Sequence, residues 1–267
     1  MALCGMDEAR GADIMRRLLR ELAGADWNVA PVALARHLHR RIREAVQRPD
    51  PYLSVKDRMN SLALELLPAL RRQAAAQPDP AEAVVRIAIA GNLLDSGAKT
   101  SLTDAEVRAA MDRVFHDCLR GSVPGLLRAA GLARQILFLA DNAGEIIFDR
   151  MLIELLPAEK MFVAVRGRPI INDALMADAE TAGLPEIVPV IDNGSDVPGT
   201  ILSDCSEEFQ QIYAGSDLII AKGQGNYESL SDTAKHTFFL LRIKCPLVGG
   251  HVGADVGDMV IYERNAF

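Results

Sequence analysis

In residues 131–267 short unbroken apolar runs alternate with longer amphipathic segments, and few folds accommodate that rhythm. The runs are ILFLA (136–140), MFVAV (161–165), IVPVI (187–191) and DLIIA (217–221), and the segments between them include EIIFDRMLIELL and EEFQQIYA. A strand with one wet face alternates polar and apolar residues, whereas a strand buried on both faces reads as a continuous apolar run. Strands of the second kind need helices above and below. The pattern predicts an α/β fold, a three-layer α/β/α core built on a mostly parallel sheet.

Residues 1–130 follow a different pattern. ADIMRRLLRELAG places Ile14, Leu18, Leu19 and Leu22 at helical spacing and ends on Gly24, a C-cap residue. VALARHLHRRIREAV, SVKDRMNSLALELLPALRRQ, PAEAVVRIAIAGNLLD and TDAEVRAAMDRVF read as further helices. Ser54 is the expected cap of the third and Pro68 its expected bend or end, while Thr103 opens the last. The expectation is an all-helical subdomain over 1–130 and an α/β core over 131–267, packed as one body because no long linker separates them.

Bulk properties exclude several classes of function. A formal charge of −7 on 267 residues argues against a general nucleic-acid binder, which would carry a basic face. No window approaches 18 apolar residues and MALCGMDEAR is not a signal peptide, so no membrane partner is expected and the expected compartment is the cytoplasm. Cys4, Cys118, Cys205 and Cys245 are widely spaced and read as reduced thiols. With 5% aromatic residues, the core must rest on Ala, Leu, Ile and Val.

Ligands of open α/β sheets sit beyond the carboxyl ends of the strands. Three Asp/Asn doublets fall at such ends: Asp141-Asn142, Asn172-Asp173 and Asp192-Asn193. Each has a structural reading. Asn142 with Glu145 mimics a capping box, Asp173 can cap a helix beginning at Ala174, and Asp192-Asn193-Gly194 can be a turn. A cap needs one such residue, however, and three doublets on one sheet edge offer hard oxygen donors suited to Mg²⁺ or Mn²⁺. The five histidines show no metal-ligand spacing, and His251 in GGHVG is at most near the sheet edge. Lys222 in DLIIAKGQGNYESL ends a strand, and Gly223 and Gly225 allow backbone to approach a ligand, which suits phosphate. Because the lysine precedes the glycines, this is not a nucleotide-hydrolysing phosphate loop. Gly91, Asn92 and Asp95 in AIAGNLLDSG end an apolar segment, as a helix terminus or as a lid on the same site.

LADNAGE, RPIINDA, IDNGSDVPGT and IIAKGQGNYE, in this order, resemble the metal-dependent damage-control phosphatases, and PYLSVKDRMNSLALELLP and AIAGNLLDSG resemble that family's short prokaryotic members. The resemblance implies one divalent cation, Mg²⁺ or Mn²⁺ with Co²⁺ or Ni²⁺ as alternatives, held by Asp141, Asn142 and Asp173. It implies that Lys222 contacts the substrate phosphate and that Gly91, Asn92 and Asp95 line the pocket. Gly144, Glu145, Asn193 and Gly223 complete the expected substrate contacts. The family's Cys-x-x-Cys-like start is absent, with Cys4 alone present. The expected activity is hydrolysis of phosphomonoesters of small metabolites, with Asp141, Asp173 and Lys222 catalytic. A methyltransferase using S-adenosylmethionine, or a non-catalytic metal or metabolite sensor, are the alternatives; no G-x-G-x-x-G opens the first βα unit.

Overall fold

A computed structural model describes residues 7–94 and 103–266. The amino-terminal half forms α1 (Glu8–Ala23), α2 (Pro31–Val46), α3 (Leu53–Ala75), α4 (Pro80–Ala90) and α5 (Asp104–Asp112). Their starts follow local chemistry. Asp7 accepts from the Arg10 amide at 2.8 Å, Asp79 accepts from the Glu82 amide at 3.0 Å, and Thr103 with Glu106 forms a capping box. Gly24 closes α1 as expected.

Two local signals in α3 do not mark its ends. Ser54 lies inside the helix and Tyr52 occupies the cap, because Asp50 accepts from the Tyr52 amide at 2.9 Å and orders the preceding turn. Pro68 also lies inside α3 without ending it. Leu62, Leu66, Leu70 and Ala74 form one buried face across the proline. At about 1.5–3 kcal/mol per buried leucine, that face outweighs the ~3 kcal/mol that an interior proline costs.

The sheet elements are β1 (Leu119–Arg120), β2 (Ile136–Leu139), β3 (Met161–Val165), β4 (Val190–Asp192), β5 (Leu218–Lys222), β6 (Thr237–Arg242) and β7 (Met259–Arg264). Between them lie α6 (Val123–Leu132), α7 (Glu145–Leu155), α8 (Met176–Thr181), α9 (Glu207–Gly215), α10 (Gly223–Leu230) and α11 (Pro246–Val252). The strands run in the order β1-β7-β6-β5-β2-β3-β4, parallel except for the antiparallel β6–β7 pair. The expected strand at 187–191 begins three residues late, at Val190. Pro189 has no N–H for a ladder, and only its carbonyl is used, accepting from Val163 at 3.0 Å.

Side-chain alternation divides the core. Ile136, Phe138, Val163 and Ile220 point to one face, where α3, α4, α6 and α7 cover them. Leu137, Leu139, Ile219 and Phe239 point to the other, against α9, α10 and α11. Helices α3 and α4 therefore share one continuous core with the strands, and β1 joins the sheet from before residue 131 by pairing with β7. Among the described residues no helix is long and apolar enough to cross a membrane. Cys118, Cys205 and Cys245 are free thiols, and Cys4 lies outside the described residues.

Candidate active site at the switch point of the sheet

From β2 the chain moves outward to β3 and β4, then returns to place β5 on the opposite flank of β2 and continues to β6. Strand order reverses between β2 and β5, and a crevice opens there at the carboxyl ends. Asp141 and Asn142 leave the end of β2 at this point. The loop after β3 is stitched to them by backbone: Ala143 donates to Asn172 at 2.9 Å, Ala174 donates to Asp141 at 2.8 Å, and Asn142 and Asp173 form an antiparallel bridge. Two segments 30 residues apart thus bring their carboxylates to one place.

The capping readings do not describe these residues. Helix α7 has Gly144 as its cap, at φ 76°, and α8 starts only at Met176, so neither Asn142 nor Asp173 caps a helix. Asn142 instead donates from Nδ2 to Asp141 at 2.7 Å and to Glu145 at 2.9 Å, and Asn92 donates to the same two carboxylates at 2.9 and 3.2 Å. The Asn92 amide oxygen is buried with no partner. Asp173 accepts from Arg166 Nε at 2.7 Å. Burial, together with the nearby charges of Glu145 and Asp173, holds the Asp141 carboxyl well above the usual range.

Gly223 closes the other side at φ 77°; a Cβ there would sit 1.9 Å from Asp141 Oδ2. Gly223→Ala is therefore expected to displace Asp141 and lower turnover by about 10²-fold, the scale set by a displacement near 1 Å. A variant with unchanged kcat would show that Asp141 need not be where it stands. Gly91 permits a similar close approach, since a Cβ on it would lie 3.0 Å from Glu145 Cγ.

Lys222 is inside the protein, not in the crevice. Its side chain is 0% exposed, and Nζ donates to the Ala88 carbonyl at 2.8 Å, to Glu145 at 2.6 Å and to Asp149. Burial would lower its proton affinity, but Asp149 and Glu145 raise it above that of an ordinary lysine. The expected phosphate contact is therefore spent as an internal counter-charge behind Glu145. Asn193 also departs from expectation. Its amide oxygen accepts from Gly167 and Ser195, and Asp192 accepts from Gly194, so the third doublet is a turn. Asp95 lies outside the described residues. His251 is exposed on α11, apart from the site.

A cavity of about 340 Å³ opens over the paired carboxylates. Asp141, Asn142, Asn172 and Asp173 form its floor, Gln224, Glu228 and Lys244 one wall, and Pro31, Val32 and Ala35 of α2 the roof. Arginines one turn apart tie that roof down. Arg36 pairs with Asp204, Arg40 reaches Asp196 at 2.5 Å, and Arg43 reaches both Asp196 and the Pro169 carbonyl. Burial alone would raise the Asp196 carboxyl, yet the Arg40 and Arg43 guanidiniums bring it down to about 2. Its folded-state value is thus depressed, so this latch contributes stability above the ordinary carboxylate range of about 4 and loses it as pH falls toward 2. Asp196→Ala is expected to speed amide hydrogen exchange across α2 relative to α3; equal exchange in variant and wild type would count against the latch.

The remaining supports carry no motif in the sequence. Arg166 is buried, and besides holding Asp173 it donates to Thr200 at 3.4 Å and to Asn226 at 3.2 Å. Asn60 on α3 accepts from the Gly144 amide at 2.7 Å and donates to Asp178 at 2.7 Å. The one legible signal was the stripe Arg36, Arg40 and Arg43 along a helix face, whose acidic partners lie some 150 residues away.

A profile of the Damage-control phosphatase ARMT1-like domain matches residues 1–260. The chain belongs to that family. Among the relatives of this damage-control phosphatase family member, an Archaeoglobus fulgidus protein described as a damage-control phosphatase is 36% identical, over 85% of this chain and 80% of its own. A Methanocaldococcus jannaschii protein, MJ0202, is 37% identical over 89% of this chain and 81% of its own. The crystal structure of a DUF89 family protein from Pyrococcus horikoshii superposes with a TM-score of 0.86 at 28% identity, covering 99% of this chain and 93% of that one.

For a member of this family the question of a metal turns on donor chemistry. Asp141 and Asp173 offer carboxylate oxygens and Asn142 an amide oxygen, all hard donors. Among the described residues no three His, Cys, Asp or Glu side chains cluster as a metal site. Hard donors of this kind are the ones Mg²⁺ takes, with one or two carboxylates and its other positions left to water and substrate phosphate. A cation beside the buried Asp141 would offset the charges of Glu145 and Asp173 that oppose its ionisation.

Proposed function

We propose that this chain is a divalent-metal-dependent phosphatase acting on phosphomonoesters of small damaged or surplus metabolites, such as sugar phosphates or phosphopantetheine-like compounds. The observation that carries the reading is the backbone stitching that holds Asp141 and Asp173 together on the floor of one cavity. Membership of the damage-control phosphatase family supports it.

Asp141, Asn142 and Asp173 would hold the cation. Bound there, Mg²⁺ or Mn²⁺ (or Co²⁺ or Ni²⁺) supplies Lewis acidity toward a phosphoryl oxygen. The chain's own groups do the rest. Asp141 or Asp173 would orient the attacking water and take its proton. Asp173 is fixed in direction by Arg166, and Glu145 by Lys222. Pro31, Val32 and Ala35 of α2 line the same cavity and would face the bound substrate. Attack by Asp141 itself, giving an aspartyl-phosphate, uses the same geometry. The configuration at a phosphorus made chiral with oxygen isotopes separates the two, since retention means two displacements by way of Asp141 and inversion means direct attack by water.

A panel of phosphorylated metabolites assayed with each of the four ions tests the function. Phosphate release that EDTA abolishes is expected. No release from any ester, with a thermal shift produced by S-adenosylmethionine and none by Mn²⁺, would replace this reading with the methyltransferase alternative. Binding of metal and metabolite without turnover would leave a sensor.

A further inference from the structure

We propose that Asn60 is a positioning residue for the metal-binding pair, the side chain that holds the Asp141 turn and the Asp173 loop at one spacing. The inference rests on the metal-dependent reading above. An ion such as Mg²⁺ tolerates little error in ligand distance, so carboxylates from two loops serve it only while those loops keep their separation. Asn60 is not among the residues that line the cavity, so the part it plays runs through the loops it holds.

Asn60 lies on the buried face of α3 and is only 5% exposed. Its amide oxygen accepts from the Gly144 N–H at 2.7 Å, and its amide nitrogen donates to Asp178 Oδ1 at 2.7 Å. A backbone N–H only donates and a carboxylate only accepts, so these partners fix which end of the amide faces which loop. Gly144 follows the Asp141-Asn142 doublet at φ 76°, where a glycine gives the turn no stiffness of its own. Asp178 follows Asp173 on the other loop. One side chain therefore spans both, and a residue with only a donor or only an acceptor could not.

The far end of the bridge is itself anchored. Asp178 Oδ2 accepts from the Leu175 amide at 2.8 Å, closing the segment directly behind Asp173, and lies 3.3 Å from Lys56 Nζ. Lys56 is buried and also reaches Asp50 at 3.0 Å. Lys56 and Asn60 stand one helical turn apart, so a single face of α3 holds both oxygens of the Asp178 carboxylate. The backbone bonds of Ala143 and Ala174 join one loop to the other. Asn60 adds the tie that fixes both loops to the helical half, and it does so beside the turn that carries Asp141 and Asn142.

Mn²⁺ titration of wild type, Asn60→Leu, Asn60→Ser and Leu70→Ala tests this, with melting curves and hydrolysis of the metabolite panel measured alongside. Asn60→Leu removes both bonds without shrinking the side chain. Asn60→Ser, too short to reach both partners, is the milder cut should the first variant not fold. Leu70→Ala is the control, since it weakens the buried face further along the same helix and leaves the bridge intact. Both Asn60 variants are expected to bind Mn²⁺ about ten- to a hundredfold more weakly, the range for loss of a group that orients metal ligands. Leu70→Ala should lower the melting temperature and keep wild-type affinity. Mn²⁺ affinity of Asn60→Ser within about twofold of wild type would overturn the assignment, as would an equal weakening in Leu70→Ala, which marks general loosening. Affinity untouched by the Asn60 changes, in a wild type that hydrolyses an ester, removes the bridge from the metal site and leaves the phosphatase reading standing. Mn²⁺ binding that depends on Asn60, with no ester hydrolysed, keeps the positioning role and removes that reading. A wild type that neither binds Mn²⁺ nor hydrolyses an ester removes both.

Discussion

Replacing Asp141 by asparagine is expected to lower metal-dependent phosphomonoester hydrolysis by about 10³–10⁴-fold in kcat, the scale seen when one member of a coupled catalytic group is lost. The same change should leave the metal-free protein at least as stable as wild type. Asp141 is buried, and Glu145 and Asp173 both oppose its charge, so the neutral amide removes a repulsion. Its retained oxygen can still accept from Asn92 and Asn142, which now donate at 2.9 and 2.7 Å. Loss of activity with a melting temperature that holds or rises is the pattern of a group kept for chemistry at a cost in stability. A variant that loses both activity and fold would point to a structural role, and one that keeps its activity would remove Asp141 from the mechanism.

Lys222→Met is expected to produce the largest loss of stability, about 3–5 kcal/mol, because it leaves two carboxylates buried without their counter-charge. Glu145 and Asp149 are each fully enclosed against the Lys222 ammonium. For a chain of this size the melting temperature should fall by about 10 °C. The deficit has a defined pH dependence. Asp149 is already pushed up to about 7 by burial, with Lys222 lowering it and the Glu145 charge raising it. Without Lys222 the Asp149 carboxyl rises further, so its charged form is penalised in the folded state and the variant should lose stability as pH rises. Melting curves from pH 5 to 8 should therefore diverge from wild type toward the alkaline end. A constant offset, or a loss below about 1 kcal/mol, would mean that the trio is not a mutually dependent buried cluster. Asp149→Asn combined with Lys222→Met should recover part of the loss.

The sheet was legible wherever burial on both faces left a continuous apolar run. MFVAV coincides with β3, and ILFLA and DLIIA lie within one residue of β2 and β5. FFLL within β6 carries the same signature, whereas the antiparallel β7, with its more exposed end, lacks it. The helices were legible from periodicity and caps except where tertiary packing overrode a local signal, as at Pro68.

The site was legible in part, for a physical reason. A strand-end Asp/Asn doublet looks the same in sequence whether it faces a crevice or makes a turn. What separates Asn172-Asp173 from Asp192-Asn193 is strand order: β3 is the inner neighbour of β2, whereas β4 is the sheet edge. Only the backbone bonds to Asp141 reveal the difference. Lys222 misleads in the same way, since its position after β5 is right for a ligand while its side chain turns inward to Glu145 and Asp149. Lys244 and the α2 roof carry no motif, and their place in the site comes from contacts that are distant in sequence.

The most direct measurement of the central claim is Mn²⁺ binding, followed by electron paramagnetic resonance titration, in wild type, Asp141→Asn and Asp173→Asn. One tight site is expected in wild type and a comparable weakening in each variant, because both carboxylates would hold the same ion. Unchanged Mn²⁺ affinity in either variant would contradict it.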